Sequence, residues 1–303
     1  MRAIVTGGAG FVGSHVVDAL LARGDEVHVL DDLSTGRRDY VARDAVFHEG
    51  DIRADAEAVF AGSQPEVCFH LAAQADVPTS VERPDFDADI NVLGTVRVLE
   101  AARMHGAQVI FSSTGGAIYG ECDEPATEDS PRRPLSPYGV AKLAGEEYLA
   151  AWNRLHGTRH VALRFANVYG PRQSASLEGG VVAIFLERMA AGKGSQIYGD
   201  GRQQRDFVYV GDVASAMLAA VGHAGGTFNV ASGAETSVLE LHDACRLVSG
   251  SEAEPAFEPP RPGDVVRSVL DPRLAARELG WRADHDLESG LRSTWAWMQE
   301  HAA

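Results

Sequence analysis

Residues Thr6 to Gly13 read TGGAGFVG and stand between an apolar run, Arg2 to Thr6, and a segment, Phe11 to Ala22, whose apolar residues recur every three to four positions. Gly7, Gly10 and Gly13 are thereby spaced GxxGxxG across a junction that reads as strand, turn, helix. A missing Cβ lets backbone approach a pyrophosphate, and the helix N-terminus offers unpaired N–H groups with the positive end of its dipole. Gly7, Gly10, Phe11, Val12 and Gly13 are therefore candidate contacts to a dinucleotide. About twenty residues on, the run EVHVL ends at Asp31, where a carboxylate can accept hydrogen bonds from adenosine ribose hydroxyls and would repel a 2′-phosphate. NAD is expected over NADP, with Arg37 and Arg38 close enough in sequence to leave NADP in view. Asp51 and Ile52 follow the next strand and leave two readings open, an adenine contact or an ordinary strand-end acid.

Working outward, valine- and isoleucine-rich runs recur at Glu26 to Leu30, Ala45 to His48, Glu66 to His70 and Gln108 to Ser112. Between them, Phe86 to Met104 and Pro137 to Leu155 carry helical spacing. Strands alternating with helices predict an α/β chain, a Rossmann-type doubly wound parallel sheet covered on both faces. After Arg164 the pattern loosens. Asn167 to Glu178 reads as a glycine, proline and serine loop, a helix follows near Val181 to Ala190, and the proline- and acid-rich stretch from Ser251 to Asp264 reads as loop. The strand-helix pair Asp206 to Val221 and the strand Thr227 to Ala231 are expected to return to the first sheet. The expected division is a nucleotide-binding domain over 1–164, joined by 206–235, and a smaller substrate-binding α/β region over 165–205 and 236–303.

Composition excludes several classes. The 303 residues are 45% hydrophobic and 23% charged, ordinary for a folded globular chain. With 27 Lys and Arg against 43 Asp and Glu, the net charge of −16 disfavours a broad grip on nucleic acid or an anionic membrane. Cys68, Cys122 and Cys245 lie outside any CxxC pattern, so neither a disulfide framework nor a thiolate metal site is indicated. His15 and His70 lack the neighbours of a metal site, and no metal is expected. No apolar run approaches the roughly 18 residues of a membrane span, and the N-terminus lacks the pattern of a secretory leader, so a cytoplasmic location is expected. Trp281, Trp295 and Trp297 read as core or interface anchors.

Tyr138 and Lys142 are four residues apart, on one face of a helix whose start is marked by Ser136-Pro137, an N-cap followed by proline at the first helical position. A tyrosine hydroxyl titrates near 10 unperturbed; a neighbouring ammonium and a cationic nicotinamide both favour phenolate, giving a base usable near neutrality. Lys142 would also hold the nicotinamide ribose. Phe111 to Thr114, FSST, ends a strand expected at the sheet centre, and ligands of open parallel sheets bind beyond the carboxyl ends of strands. Thr114 can there donate a hydrogen bond to the reacting oxygen.

These motifs resemble the extended short-chain dehydrogenase/reductase family, in its nucleotide-sugar epimerase branch. The resemblance runs through TGGAGFVG, DDLSTG at Asp31 to Gly36, HLAAQADV at His70 to Val77, INVLGT with Asn91, SSTGGAIYG at Ser112 to Gly120, and SPYGVAK at Ser136 to Lys142. It continues through RFANVYGP at Arg164 to Pro171, YGDGRQQRDFVYVGDV at Tyr198 to Val213 and RPGD at Arg261 to Asp264. It implies a catalytic set of Thr114, Tyr138 and Lys142. It implies a cofactor cradle that adds Asp32, Leu33, Ser34, Thr35 and Gly36 beside Asp31, then Leu71, Ala72, Ala73, Gln74, Asn91 and Ser112. Asn167, Arg205 and Arg261 would hold a nucleotide diphosphate, and Asp264 would support the nucleotide ribose or orient Arg261. Bidentate guanidinium binding of phosphate fits that role. A homodimer packed through the helices near Phe86 to Met104 and Pro137 to Leu155 is also implied.

The implied reaction is NAD-dependent 4-epimerisation of a nucleotide sugar through a 4-keto intermediate, UDP-glucose with UDP-galactose, extending to UDP-GlcNAc with UDP-GalNAc. The Asp-Glu pair by which resembling 4,6-dehydratases expel the 6-OH is replaced by Gly115-Gly116, which supplies neither acid nor base. The glutamate typical of the decarboxylases is missing from the same stretch. The segment from Thr114 to Tyr119 is one residue longer than the usual epimerase pattern, which leaves Ser113 as the alternative hydroxyl. Ser268 stands where glucose-restricted epimerases carry a tyrosine, so it would leave space near sugar C2. Other activities on the same scaffold, a uronate epimerase, dehydratase or decarboxylase, are the alternatives. A non-catalytic NAD-binding regulator would be expected to have broken its Tyr-Lys pair, which this chain keeps.

Overall fold

A computed structural model describes residues 1–175, 180–260 and 265–301. In chain order the first half runs β1 (Arg2–Thr6), α1 (Phe11–Ala22), β2 (Glu26–Asp31), β3 (Val46–Glu49), α2 (Ile52–Ser63), β4 (Val67–His70), α3 (Val77–Glu82), α4 (Pro84–Ala88), α5 (Thr95–His105), β5 (Gln108–Thr114), α6 (Gly115–Ile118) and α7 (Pro137–His156). The remainder runs β6 (Val161–Phe165), β7 (Asn167–Tyr169), α8 (Val181–Ala190), β8 (Gln196–Tyr198), β9 (Gln204–Arg205), β10 (Phe207–Tyr209), α9 (Val210–Ala219), β11 (Gly226–Val230), β12 (Thr236–Ser237), α10 (Val238–Ser249), β13 (Ala256–Glu258), β14 (Arg267–Ser268), α11 (Arg273–Glu278) and α12 (Leu287–Glu300).

Seven strands form one sheet in the order β11-β6-β5-β4-β1-β2-β3, every pair parallel. The order reverses between β1 and β4, which opens a crevice at their carboxyl ends. Alternation along β1 sends Ala3 and Val5 into the core under α1 and α9, and Ile4 into the core under α2, α5 and α7. A third core lies among α8, α10 and α12, around Phe185, Leu186, Leu241 and Leu291. Among the described residues, no helix is long and apolar enough to cross a membrane, and no three His, Cys, Asp or Glu side chains gather as metal ligands. Cys68 and Cys245 are buried and Cys122 is partly buried, all as free thiols.

The structure departs from the sequence reading in four places. The helix expected over Phe86 to Met104 contains a wider π turn at Asp89–Gly94 between α4 and α5. It centres on Asn91, whose side chain bonds Gln74 and, one turn back, Asp87, and such turns recur at functional sites. β10 does not join the main sheet: it pairs with β7, inside the expected loop after Arg164, because the place beside β6 is taken by β11. α9 does return, packing on α1. Finally, β13 forms within the stretch expected to be loop by pairing with β8.

Candidate active site

The glycine turn is built by close approach of backbone to backbone. A Cβ on Gly7, whose φ is +71°, would come within 2.6 Å of the Ala72 nitrogen, and one on Gly13 would overlap the Gly7 carbonyl. Gly10 is the N-cap of α1 and provides no side-chain cap, so the first-turn N–H groups face outward without a side-chain partner. A phosphate-sized anion suits that opening, and the residues present fit a dinucleotide. Phe11 is buried in the first turn and Val12 packs against the core beside it.

Asp31 ends β2 as a buried carboxylate. Its Oδ2 accepts from the Ala9 N–H and its Oδ1 from the Leu33 N–H, both at 2.9 Å. Burial pushes its pKa up while these two donors oppose the shift. A carboxylate offers about four acceptor positions, so two remain for ribose hydroxyls. The loop after it is tightly wound: Leu33 has φ +58°, Asp32 accepts from the Ser34 N–H and hydroxyl, and Thr35 leads into Gly36, whose Cβ would strike Asp31 Oδ1 at 2.8 Å. Arg37 and Arg38 lie over the rings of Tyr40 and Phe47, at 5.2 and 4.5 Å, and so are engaged on ring faces. Asp51 caps α2 through the Arg53 N–H and pairs with the Arg53 guanidinium, which also holds Asp89. Ile52 is buried beneath it.

Across the crevice, the segment Leu71 to Gln74 is fastened by a polar chain. The Thr6 hydroxyl bonds His70 Nδ1 at 2.7 Å, His70 Nε2 bonds Thr95 Oγ1 at 3.0 Å, and that hydroxyl donates to the Asn91 carbonyl at 2.7 Å. The last bond fixes His70 as the neutral Nε2–H tautomer. Burial, with the nearby Lys142 charge, pushes its pKa down to about 3. The Leu71 and Ala72 N–H groups bond the carbonyl and hydroxyl of Thr6, and Ala73 continues the segment. Asn91 accepts from the Gln74 N–H and donates to the Gln74 carbonyl and to Asp87. The structure thus uses the side chain of Asn91 as a clamp on that loop.

The catalytic candidates meet where β5 outruns its neighbour. His70, the last residue of β4, pairs with Phe111, so Ser112, Ser113 and Thr114 project beyond β4 and pair only with β6. The Ser112 hydroxyl donates to the His70 carbonyl. Ser113 faces α7 and donates to Glu146 at 2.5 Å. Thr114 is partly buried, and its hydroxyl has no hydrogen-bond partner among the described residues, which distinguishes it from Ser113. α6 follows it at once and touches the start of α7: a Cβ on Gly139, next to Tyr138, would meet the Ala117 carbonyl at 2.5 Å.

α7 starts as its sequence predicts, with the Ser136 side chain accepting from the Gly139 N–H and Pro137 in the first turn. Lys142 is buried, its Nζ donating to the Ser112 carbonyl at 2.9 Å and lying 5.9 Å from the centre of the Tyr138 ring. Burial pulls the pKa of Lys142 down to about 8, against the opposing charge of Asp87. The Tyr138 phenol is pushed above its ordinary range, first by burial and then by Asp87. The ammonium therefore does not by itself prepare the base in the chain alone. Asp87 is buried and accepts from Gln74 and Asn91.

A second group of candidates gathers beside the small sheets. Asn167 donates through its side chain to the Asp206 carbonyl, and Arg205 stands beside Ser268 in the parallel pair of β9 and β14. Asp206 is buried and holds the Ser232 and Gly233 turn. Arg261 and Asp264 lie outside the described residues. The sequence reading missed Asp87, Glu146 and Arg164. Helical spacing was the available signal: Asp87 is four residues before Asn91, and Glu146 is four after Lys142.

Residues 3–231 match the model of the NAD dependent epimerase/dehydratase family. A UDP-glucose 4-epimerase of Mycolicibacterium smegmatis is 47% identical, with 97% of each chain covered. The crystal structure of a Thermotoga maritima UDP-glucose 4-epimerase with UDP-glucose is 44% identical with a TM-score of 0.97, each chain covered completely. That of a Thermus thermophilus UDP-glucose 4-epimerase in complex with NAD is also 44% identical, with a TM-score of 0.94, covering 99% of this chain and 100% of the other. On this match and the geometry above, the chain belongs to the NAD dependent epimerase/dehydratase family.

Proposed function

We propose that this protein is an NAD-dependent UDP-glucose 4-epimerase. The observation that carries the reading is the pairing of half-buried Tyr138 with buried Lys142, anchored through Lys142 on the Ser112 carbonyl at the carboxyl edge of the sheet. It lies across the crevice from the uncapped glycine turn and Asp31. NAD, when bound, supplies a reversible hydride acceptor for sugar C4. Tyr138 as phenolate would take the 4-OH proton as sugar C4 is oxidised to the 4-keto level, and would give the proton back when the turned sugar is reduced on its opposite face. Lys142 would favour the phenolate, and the positive charge of bound NAD would act in the same direction. Thr114 would donate to the sugar oxygen, Asn167, Arg205 and Arg261 would hold the nucleotide diphosphate, and Asp264 would support the nucleotide ribose or orient Arg261.

Gly115 and Gly116 supply no acid or base for dehydration, and a Cβ on Gly115 would run into Leu270. Ser268, small and adjacent to Arg205, supports acceptance of 2-acetamido sugars as well. The nucleotide unit in this reading comprises 1–164 with 206–235, and the sugar-nucleotide unit 165–205 with 236–303. Exposed Leu93, Met104, Val140 and Leu155 support a homodimer through the helical stretches near Phe86 to Met104 and Pro137 to Leu155. Incubation of the purified protein with UDP-glucose and UDP-GlcNAc, read by anomeric proton NMR, tests the assignment. Appearance of UDP-galactose with no net NADH supports it; absence of any 4-epimer ends it.

A further inference from the structure

Thr114 sits within a short segment, Ser113 to Tyr119, whose two ends converge on one buried guanidinium. At the near end, Ser113 donates to Glu146 Oε1 at 2.5 Å, and Arg164 clamps that carboxylate with Nε at 2.9 Å from Oε1 and Nη2 at 2.6 Å from Oε2. At the far end, Arg164 Nη1 donates to the Tyr119 hydroxyl at 2.6 Å, and that hydroxyl donates to Asn229 Oδ1 at 2.8 Å. Arg164 and Glu146 are buried, at 2% and 5% exposure. Glu146 is also on α7, one turn beyond Lys142 and two beyond Tyr138. The network therefore ties the strand end, the turn after it and the catalytic helix to one point.

Stability is a weak reason for such a pair, because apolar residues of similar volume commonly stabilise a core as well or better. What an ion pair adds is direction. Ser113 lies between Ser112 and Thr114 on a strand where side chains alternate, so holding its hydroxyl from one side fixes the rotation of the strand about its axis. That rotation sets where the Ser112 carbonyl meets Lys142 and where the Thr114 hydroxyl points. We propose that Glu146, clamped by Arg164, is a positioning residue for the reaction, acting through Ser113 to place Thr114 against Tyr138 and Lys142. This rests on the epimerase reading given above.

The test begins with the parent protein turning UDP-glucose into its 4-epimer; if it does not, the epimerase reading fails and this inference fails with it. Ser113→Ala removes one hydrogen bond, leaves the ion pair and is expected to stay folded. Its kcat is expected to fall about tenfold, with KM within twofold, the melting temperature within a few degrees of the parent, and bound NAD, read by absorbance after denaturation, unchanged. The isotope effect with UDP-glucose deuterated at C4 is expected to rise. Glu146→Gln is expected to lose more, and the double variant to fall no further than Glu146→Gln alone. Should Glu146→Gln fail to fold, the kcat and KM values of Ser113→Ala decide. A Ser113→Ala enzyme with kcat within twofold of the parent, or losses that multiply in the double variant, would overturn the proposal.

Discussion

Lys142 Nζ donates to the main-chain carbonyl of Ser112 at 2.9 Å, a bond that joins α7 to the end of β5. The ammonium is held there against the cost of burial, which brings its pKa from 10.5 down to about 8. Below about 8 the lysine is charged both folded and unfolded, and its burial destabilises the chain by roughly 3 kcal/mol. Between about 8 and 10.5 the folded state loses the proton that the unfolded state keeps, so stability recovers as pH rises. Lys142→Met is accordingly expected to melt several degrees higher than the parent at pH 7 when stripped of dinucleotide, with the gap shrinking toward pH 10. Scanning calorimetry across that range checks it, and a variant that melts lower at pH 7 contradicts the assignment.

Removing the two hydroxyls proposed to act on the sugar separates their roles. Tyr138→Phe is expected to retain bound dinucleotide and lose turnover by at least a thousandfold, as expected when the proton acceptor is deleted. Thr114→Ala removes the proposed donor to the sugar oxygen and is expected to cost about tenfold to hundredfold in kcat. Steady-state rates on UDP-glucose, with bound NAD quantified after denaturation, distinguish both from loss of the cofactor.

Asp87 is the carboxylate whose charge reaches both Tyr138 and Lys142, and it raises the pKa of each. Asp87→Asn keeps an oxygen to accept from Gln74 and Asn91 but removes the negative charge. Phenolate then forms at lower pH, so the acid limb of the kcat/KM profile is expected to move down by about one unit. Lys142 is expected to lose its proton earlier as well. An acid limb that stays put or moves up rules out this electrostatic role.

Gly145 brings α7 directly onto β5, since a Cβ there would sit 2.7 Å from the edge of the Phe111 ring. Gly145→Ala must push helix and strand apart and is expected to lose about 1 to 3 kcal/mol in urea titration. The same displacement moves Lys142, three residues earlier, so the rate on UDP-glucose is expected to fall together with stability.

Much of this architecture is legible in the chain because local pattern and tertiary need agree. The turn at Thr6 to Gly13, the cap at Ser136-Pro137 and the alternating apolar strands each state their element through properties of a few neighbouring residues. What was not legible depends on partners distant in sequence. Phe207 to Tyr209 has the composition of a strand for the main sheet, yet β11 occupies the edge beside β6 and β7 takes β10 instead. Ser113 and Thr114 are equivalent as letters in FSST, and only Glu146, 33 positions away, distinguishes their hydroxyls. The bonds of the Asn91 side chain to Gln74 and Asp87 were likewise not legible, since the motif around Asn91 names neither partner.

Asp31 fastens Ala9 within the glycine turn and Leu33 at the head of the following loop. Anyone re-engineering the chain to accept the phosphorylated form of its coenzyme would therefore be removing a structural rivet along with a repulsive charge. An exchange at this single position would slacken the phosphate cradle, so a successful redesign has to furnish new acceptors for both backbone amides before preference can be inverted.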